Sequence, residues 1–450
     1  MSPKGRRRCR SLPPDILSNL PDNIIDVILI CLPCKEAVRT NILSKKWRYH
    51  WRRLTELTID QSHWSTEEDL LYPTSKFLKI VYQLLTLHEG PITKFTLNIT
   101  KLRSCPEIDF FIYLLSMNGI QHLVLHLPWN EDEGEAYKLS SLFTCLQLRH
   151  LALENCFIHP PSNFQGFDRL ITLELCDVTI SSELLGSLIS HCSLLEKLVL
   201  VISQVPVSNM IEINAPKLKS FDFSGCISYI SLTNVPLLTK VSLDLCEGSS
   251  LEAHNFHFVK FFKSCFALEH LDFQFCFEEI DIAKPDEAPT RLPFDHNRVK
   301  RLCLPGIVLE HTYETLCCFC LLRSFPYLEY LEIEVSNDGD GCGDGDVELF
   351  KLDRFADVTF NHLREVKLGE FWGDTHELEF LKLLLAKSPV LETVTIDSYL
   401  LPKRRSKILA EVSNFWHVSP KVEVICRDLQ RSSSIFEDET NRWKRMLLYY

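Results

Sequence analysis

The sequence predicts an α/β fold: a small three-helix unit followed by a solenoid of short repeats whose strands form a parallel concave sheet. Three observations lead there. One apolar pattern returns at near-regular spacing from Leu54 to Ile396, residues 12 to 54 carry helical spacing instead, and 450 residues are too many for a single compact core. With 46% hydrophobic and 24% charged residues, most of the chain has the material to fold.

Residues 1 to 11, beginning MSPKGRRRCR, read as a basic disordered tail. Ser11-Leu12-Pro13-Pro14-Asp15 follows where a secretory signal needs an apolar stretch, and no run reaches the roughly 18 apolar residues that span a membrane. A soluble protein of the cytoplasm and/or nucleus is expected. The Lys4 to Arg10 cluster fits a nuclear import signal and a solvated tail equally well.

The first helix is expected after Leu20-Pro21, where Ile24, Ile25, Ile28, Leu29 and Leu32 have near-helical spacing until Pro33 forbids continuation. A second begins near Lys35 and puts Val38 and Ile42 on one face. Ser44 is placed to cap a third, in which Trp47 and Trp51 stand four apart and share a face. So small a unit holds more large apolar residues than it can bury alone.

These residues resemble an F-box. The matching positions are Leu20-Pro21, Ile24-Ile25, Ile28-Leu29, Leu32-Pro33, Ala37-Val38-Arg39-Thr40, Leu43-Ser44, and Trp47-Arg48 to Trp51, within a segment of residues 12–54. The resemblance implies docking on a Skp-type adaptor, and through it on a cullin-based ubiquitin ligase. The expected adaptor-binding residues are Leu20, Pro21, Ile24, Ile28, Leu32, Pro33, Val38, Leu43, Trp47 and Trp51, some of which must also serve the unit's own core.

From residue 55 a six-residue pattern recurs: hydrophobic, two variable, hydrophobic, one variable, hydrophobic. It reads Leu148-Arg-His-Leu-Ala-Leu153, Leu170-Ile-Thr-Leu-Glu-Leu175, Leu195-Glu-Lys-Leu-Val-Leu200 and Leu218-Lys-Ser-Phe-Asp-Phe223. Further copies start at Leu238, Leu268, Val299, Leu328, Leu363 and Leu391, with weaker ones at Leu54, Ile92 and Ile120. From Ile92 onward the spacing runs from 20 residues (Leu218 to Leu238) to 35 (Leu328 to Leu363), the period of leucine-rich repeats with insertions. The last two apolar positions are two apart, so they point to one side of a strand and the residue between them to the other. Stacking joins the inward sides into one core. This solenoid is expected over residues 55–361. Residues 362–440, with His362-Leu-Arg-Glu-Val-Lys-Leu368 and Ser388-Pro-Val-Leu-Glu-Thr-Val-Thr-Ile396, resemble the FBD region of plant F-box proteins and also read as further repeats with a cap. Residues 441–450 are expected to form a tail.

Charge divides the chain. Residues Met1 to Leu54 hold 12 Lys plus Arg against 4 Asp plus Glu, a balance of +8, which leaves −20 for the remainder of a chain whose total is −12. A basic N-terminal unit suits an acidic protein, and the resemblance supplies one, since Skp-type adaptors are acidic. Nucleic acid and membrane are not expected partners. The substrate is expected to be a protein.

Eighteen cysteines in a chain without a secretory signal read as reduced thiols. Cys156, Cys226, Cys246 and Cys276 each fall eight places after the first apolar residue of a repeat, a structural turn position, and Cys145, Cys192 and Cys265 recur three places before a repeat. Cys31 and Cys34 have ligand spacing but no second pair at zinc-finger distance, and Cys317, Cys318 and Cys320 sit in an apolar helical stretch, so no metal or other cofactor is expected. The loop from Asn337 to Glu348 alternates carboxylates as calcium loops do, yet Cys342 breaks the EF-hand order, leaving a flexible acidic insertion as the better reading.

The register points to a recognition face. Outward positions fall on Glu174, Asp222, Asp272, Glu332 and Lys367, with Asp244, Gln274 and Glu334 just beyond and Arg301 and Tyr330 as possible anchors. Acidic residues prevail, which suits a basic patch on a substrate. No phosphate-binding loop, dinucleotide fingerprint, nucleophile elbow or metalloprotease motif occurs, so an enzyme is not expected. The expected role is that of substrate receptor in a Skp, cullin and F-box ubiquitin ligase. The alternatives are a non-degradative scaffold, or a small-molecule receptor using the concave face.

Overall fold

The computed structural model describes residues 16–60, 73–100, 105–129, 137–202, 210–225, 227, 229–245, 258–274, 290–294, 296–336, 347–398, 400 and 402–428. Both expected tails, Cys226, Cys246, Cys276 and residues 337–346 of the acidic loop lie outside the described residues. The chain divides into two compact units, Met1–Leu195 and Glu196–Tyr450.

The first unit opens with helix α1 (Asp22–Ile30), which starts against Pro21 and buries Ile25 and Leu29, one turn apart. Pro33 heads α2 (Cys34–Arg39), prolonged by a 3-10 turn at Thr40–Ile42. The third segment differs from the regular helix expected. Ser44 Oγ does accept from Trp47 N at 3.4 Å, but the chain then runs through turns into a 3-10 turn at His50–Arg53. Lys45, Lys46, Arg48, Arg52 and Arg53 crowd like charge along this stretch, which disfavours a straight helix.

The rest of the unit is β1 (Glu56–Asp60), α3 (Pro73–Leu87), β2 (Lys94–Asn98), α4 (Ile108–Met117), β3 (His122–His126), β4 (Tyr137–Lys138), β5 (His150–Glu154), β6 (Cys156–Phe157), β7 (Thr172–Cys176) and α5 (Ser182–Ser190). Five strands form a parallel sheet in the order β1-β2-β3-β5-β7, and the short β4 and β6 pair separately.

The second unit comprises β8 (Lys197–Ile202), β9 (Met210–Asn214), β10 (Ser220–Gly225), β11 (Tyr229–Thr233), β12 (Lys240–Leu245), α6 (Phe258–Phe262), β13 (His270–Gln274), β14 (Arg301–Ile307), α7 (Thr312–Ser324), β15 (Tyr330–Val335), β16 (Glu365–Gly369), α8 (Thr375–Lys387), β17 (Thr393–Ser398), α9 (Pro402–Val412) and β18 (Glu423–Asp428). Its parallel sheet has the order β8-β10-β12-β13-β14-β15-β16-β17-β18, with β9 and β11 paired apart from it. The repeats of 23 and 20 residues that start at Leu195 and Leu218 carry those two strands, whereas the longer repeat from Val299 carries α7. A strand covers more length per residue than a helix, so fewer residues close the loop.

Each of the thirteen repeat starts expected from sequence precedes a strand by two residues, as Leu54 precedes Glu56 and Leu391 precedes Thr393. The inward pair of each motif forms the core: Leu57 and Ile59, Leu271 and Phe273, Val394 and Ile396 are all buried. Most joints among the described residues repeat one backbone device. In the second unit the N–H groups of Thr239 and Lys240 both donate to Lys219 O, those of Glu269 and His270 to Thr239 O, and those of Lys300 and Arg301 to Glu269 O. Cys145, Cys192 and Cys265 end the turn before their strands, and each Sγ donates to the carbonyl four residues back, Ser141 at 3.9 Å, Leu188 at 3.2 Å and Phe261 at 3.6 Å.

Candidate functional sites

The N-terminal surface is set by which apolar side chains the short helices can bury. Trp47 and Trp51 are 2% and 4% exposed, so they hold the unit's core together with Ile25, Leu29 and Ala37. Trp47 Nε1 donates to Leu17 O at 2.9 Å, tying the segment before α1 to the third helical stretch. Among the other residues expected at the adaptor contact, Pro21, Ile24, Pro33 and Leu43 are exposed, while Leu20, Ile28, Leu32 and Val38 are half-buried.

The expected contact left out Val27, Ile30 and Ile42, which are 59%, 55% and 88% exposed. Ile24, Val27 and Ile30 follow a spacing of three, so α1 is apolar on the side away from its buried face as well. That double-sided pattern was the available signal. Around this surface Lys46 pairs with Asp22 at 3.1 Å and bonds Leu20 O, Arg39 pairs with Glu36 at 3.0 Å, and His50 Nδ1 lies 3.2 Å from Asp26. The Lys46 bond holds the Asp22 carboxyl below its ordinary value.

In the first unit the outward side of the sheet carries the row Glu56, Lys94, His122, His150 and Thr172. The His122 and His150 rings stack with centroids 6.0 Å apart, and burial, aided by Lys94, lowers the His122 pKa. Four residues further on, His126 Nδ1 lies 2.6 Å from a Glu154 carboxylate oxygen. Glu174 sits beside Ala152 in the row between these two.

In the second unit register sets Asp222, Ser242, Asp272, Cys303, Glu332 and Lys367 in one outward row, flanked by Lys240, His270, Arg301 and Tyr330. The register expected from the sequence therefore brings these side chains into one row, and the charge around Glu332 is compensated within the sheet. Glu332 accepts from Lys367 Nζ at 2.7 Å and Tyr330 Oη at 2.8 Å, and Arg301 lies 3.4 Å away. The Arg301 guanidinium stacks 3.9 Å from the centre of the Tyr330 ring. Burial pushes the Glu332 carboxyl upward, but these donors outweigh it and hold the pKa below its ordinary value. Burial lowers the Lys240 pKa against the opposing charges of Asp222 and Asp272. Asp244 accepts from Ser224 Oγ at 3.2 Å. The result is a surface of mixed charge in which Glu332 is paired with Lys367, Tyr330 and Arg301.

Sequence reasoning also missed Cys303, Asp397 and the lysine at 240. Cys303 stands between Asp272 and Glu332 with its thiol pushed by burial to about 12, and Lys367 reaches Asp397 at 3.8 Å. Cys31 is exposed while Cys34 is buried. Among the described residues no group of three or more His, Cys, Asp or Glu is placed to hold a metal ion, and no helix is long and apolar enough to cross a membrane.

Residues 108–333 match the family described as "FBD-associated F-box protein At5g56370, LRR repeats". An F-box/FBD/LRR-repeat protein of Arabidopsis thaliana, At1g13570, is 34% identical over 419 residues, covering 92% of this chain and 98% of that protein. A putative F-box/FBD/LRR-repeat protein of the same plant, At1g66290, is 23% identical over 454 residues, with 92% and 93% covered. A putative FBD-associated F-box protein, At5g56440, is 30% identical over 276 residues, with 52% and 61% covered.

Proposed function

The chain belongs to the plant F-box/FBD/leucine-rich-repeat family, and from that premise we propose that it is the substrate-recognition subunit of a Skp-cullin-F-box ubiquitin ligase. Its F-box binds the adaptor and its repeats bind a protein substrate. The chain itself makes and breaks no bond. The observation that carries this reading is the second apolar face of α1, where Ile24, Val27 and Ile30 are exposed, and Ile42 and Leu43 after α2 are exposed as well. Apolar surface left open by a unit whose tryptophans are already used inward is what a partner interface needs. Leu20, Pro21, Ile28, Leu32, Pro33 and Val38, exposed or half-buried, are proposed to add to that contact, while the buried Trp47 and Trp51 serve the unit's own core.

Co-expression with a Skp-type adaptor tests it. Val27→Asp with Ile30→Asp should cut adaptor recovery by at least about tenfold with the melting temperature little changed, since both side chains are exposed. Equal recovery from both forms would remove the claim. On the substrate side, the paired surface around Glu332 offers fixed donors and acceptors for a polar segment, and Asp222, Asp244 and Asp272 offer carboxylates toward the other end of the second sheet. A substrate half-life that does not lengthen when the protein is removed would leave a scaffold in place of a degradation receptor.

A further inference from the structure

A cleft of about 540 Å³ opens in the second unit between residues 290–291, the end of α7 with the turn after it, and residues 354–360. Its base is apolar, formed by Leu322, Phe325, Leu328 and Phe360, all buried. Among the described lining residues its rim carries Arg291, Arg323 and Arg354 and one carboxylate, Asp357. Pro326 and Val358 complete the apolar wall.

The arginines are held in different ways. Arg323 donates to Arg354 O at 3.0 Å and lies 4.4 Å over the Phe355 ring, which fixes its guanidinium at the cleft. Burial lowers the Arg323 pKa, against the pull of Asp357, and the Arg354 charge adds to the lowering. Arg291 and Arg354 are exposed at the mouth. Among the described lining residues three guanidiniums to one carboxylate give an excess of positive side chains, on a chain whose net charge is −12. Guanidinium is the side chain best fitted to carboxylates, because its planar fork can donate two bonds at once.

We propose that this cleft docks an acidic peptide segment of a partner protein, with one apolar side chain of that segment against Pro326 and Val358 and its flanking carboxylates on Arg291, Arg323 and Arg354. The volume suits one large side chain with its neighbours. The site shares no residue with the exposed face of α1 or with the outward rows of the sheet, so it stands or falls apart from the adaptor contact.

The test is fluorescence anisotropy of a dye-labelled peptide, Glu-Glu-Asp-Leu-Glu-Glu, with the full-length protein at about 0.1 M salt. The peptide is expected to bind, to lose at least about tenfold in affinity when Arg291→Glu and Arg354→Glu are combined, and to bind poorly when its acidic residues are replaced by glutamine. Arg291→Gln with Arg354→Gln is the milder pair should the reversal disturb folding, and is expected to weaken binding in the same direction. Affinity that survives both pairs, including binding retained by the basic N-terminal segment, overturns the proposal. So does equal binding of the glutamine peptide, or no binding at all.

Discussion

Cys145, Cys192 and Cys265 show how one residue type serves one place in a repeat. Each is buried at the end of a turn, and burial pushes its thiol to about 12, 11 and 12 respectively. A small apolar side chain whose S–H reaches a carbonyl four residues back fits where a larger one would strain the turn. Maleimide labelling of the native protein should therefore modify the exposed Cys31 and leave these three unmodified until denaturant is added. Rapid native labelling of Cys192 would show that the turn opens. Shared register makes these positions legible in the amino-acid sequence alone. The division of the N-terminal apolar residues is not legible there, because spacing says which residues share a face and leaves open which face turns inward.

At the scale of elements, α8 illustrates an entry built around one carboxylate. Asp374 and Glu377 form a reciprocal cap, in which the Glu377 carboxylate accepts from the Asp374 N–H, and it also accepts from the N–H groups of Trp372 and Gly373. Burial, with the neighbouring Asp374 charge, outweighs those donors and raises Glu377 to about 7. A carboxyl raised in the folded state favours folding while protonated. Its contribution is full below the unfolded value of 4.5 and is lost as pH climbs to about 7. The wild type should lose on the order of 3 kcal/mol across that window relative to Glu377→Gln, measured by urea unfolding at several pH values. Parallel curves for the two proteins would refute the assignment. The strand β18 is hidden in the sequence because Lys421 occupies the place where every earlier repeat has an apolar residue, although Val424 and Cys426 keep the alternation and pair with Val394 and Ile396. The third N-terminal helix misleads for a related reason: two tryptophans four apart mimic helical spacing, while the charges around them act against it. Likewise the outward carboxylates can be counted in the sequence, but that Glu332 meets Arg301, Tyr330 and Lys367 depends on which strands become neighbours.

For the molecule as a whole, charge and architecture run in opposite senses: a short unit of +8 precedes repeats that carry −20. If the adaptor contact combines apolar area with this basic charge, raising salt from about 0.1 to about 0.5 M should slow association and lower recovery without abolishing it. Recovery indifferent to salt would leave the apolar face of α1 as the whole of the contact. The paired N–H donation that joins β12, β13 and β14 to the carbonyls of Lys219, Thr239 and Glu269 uses main-chain atoms alone. A gene segment encoding one such module can therefore be duplicated or deleted, and the joint on either side re-forms with whichever module becomes the neighbour. Copy number is open to inheritance in a way that the residues of an interlocked globular core are not, and related loci can diverge in length while keeping the same rule of assembly.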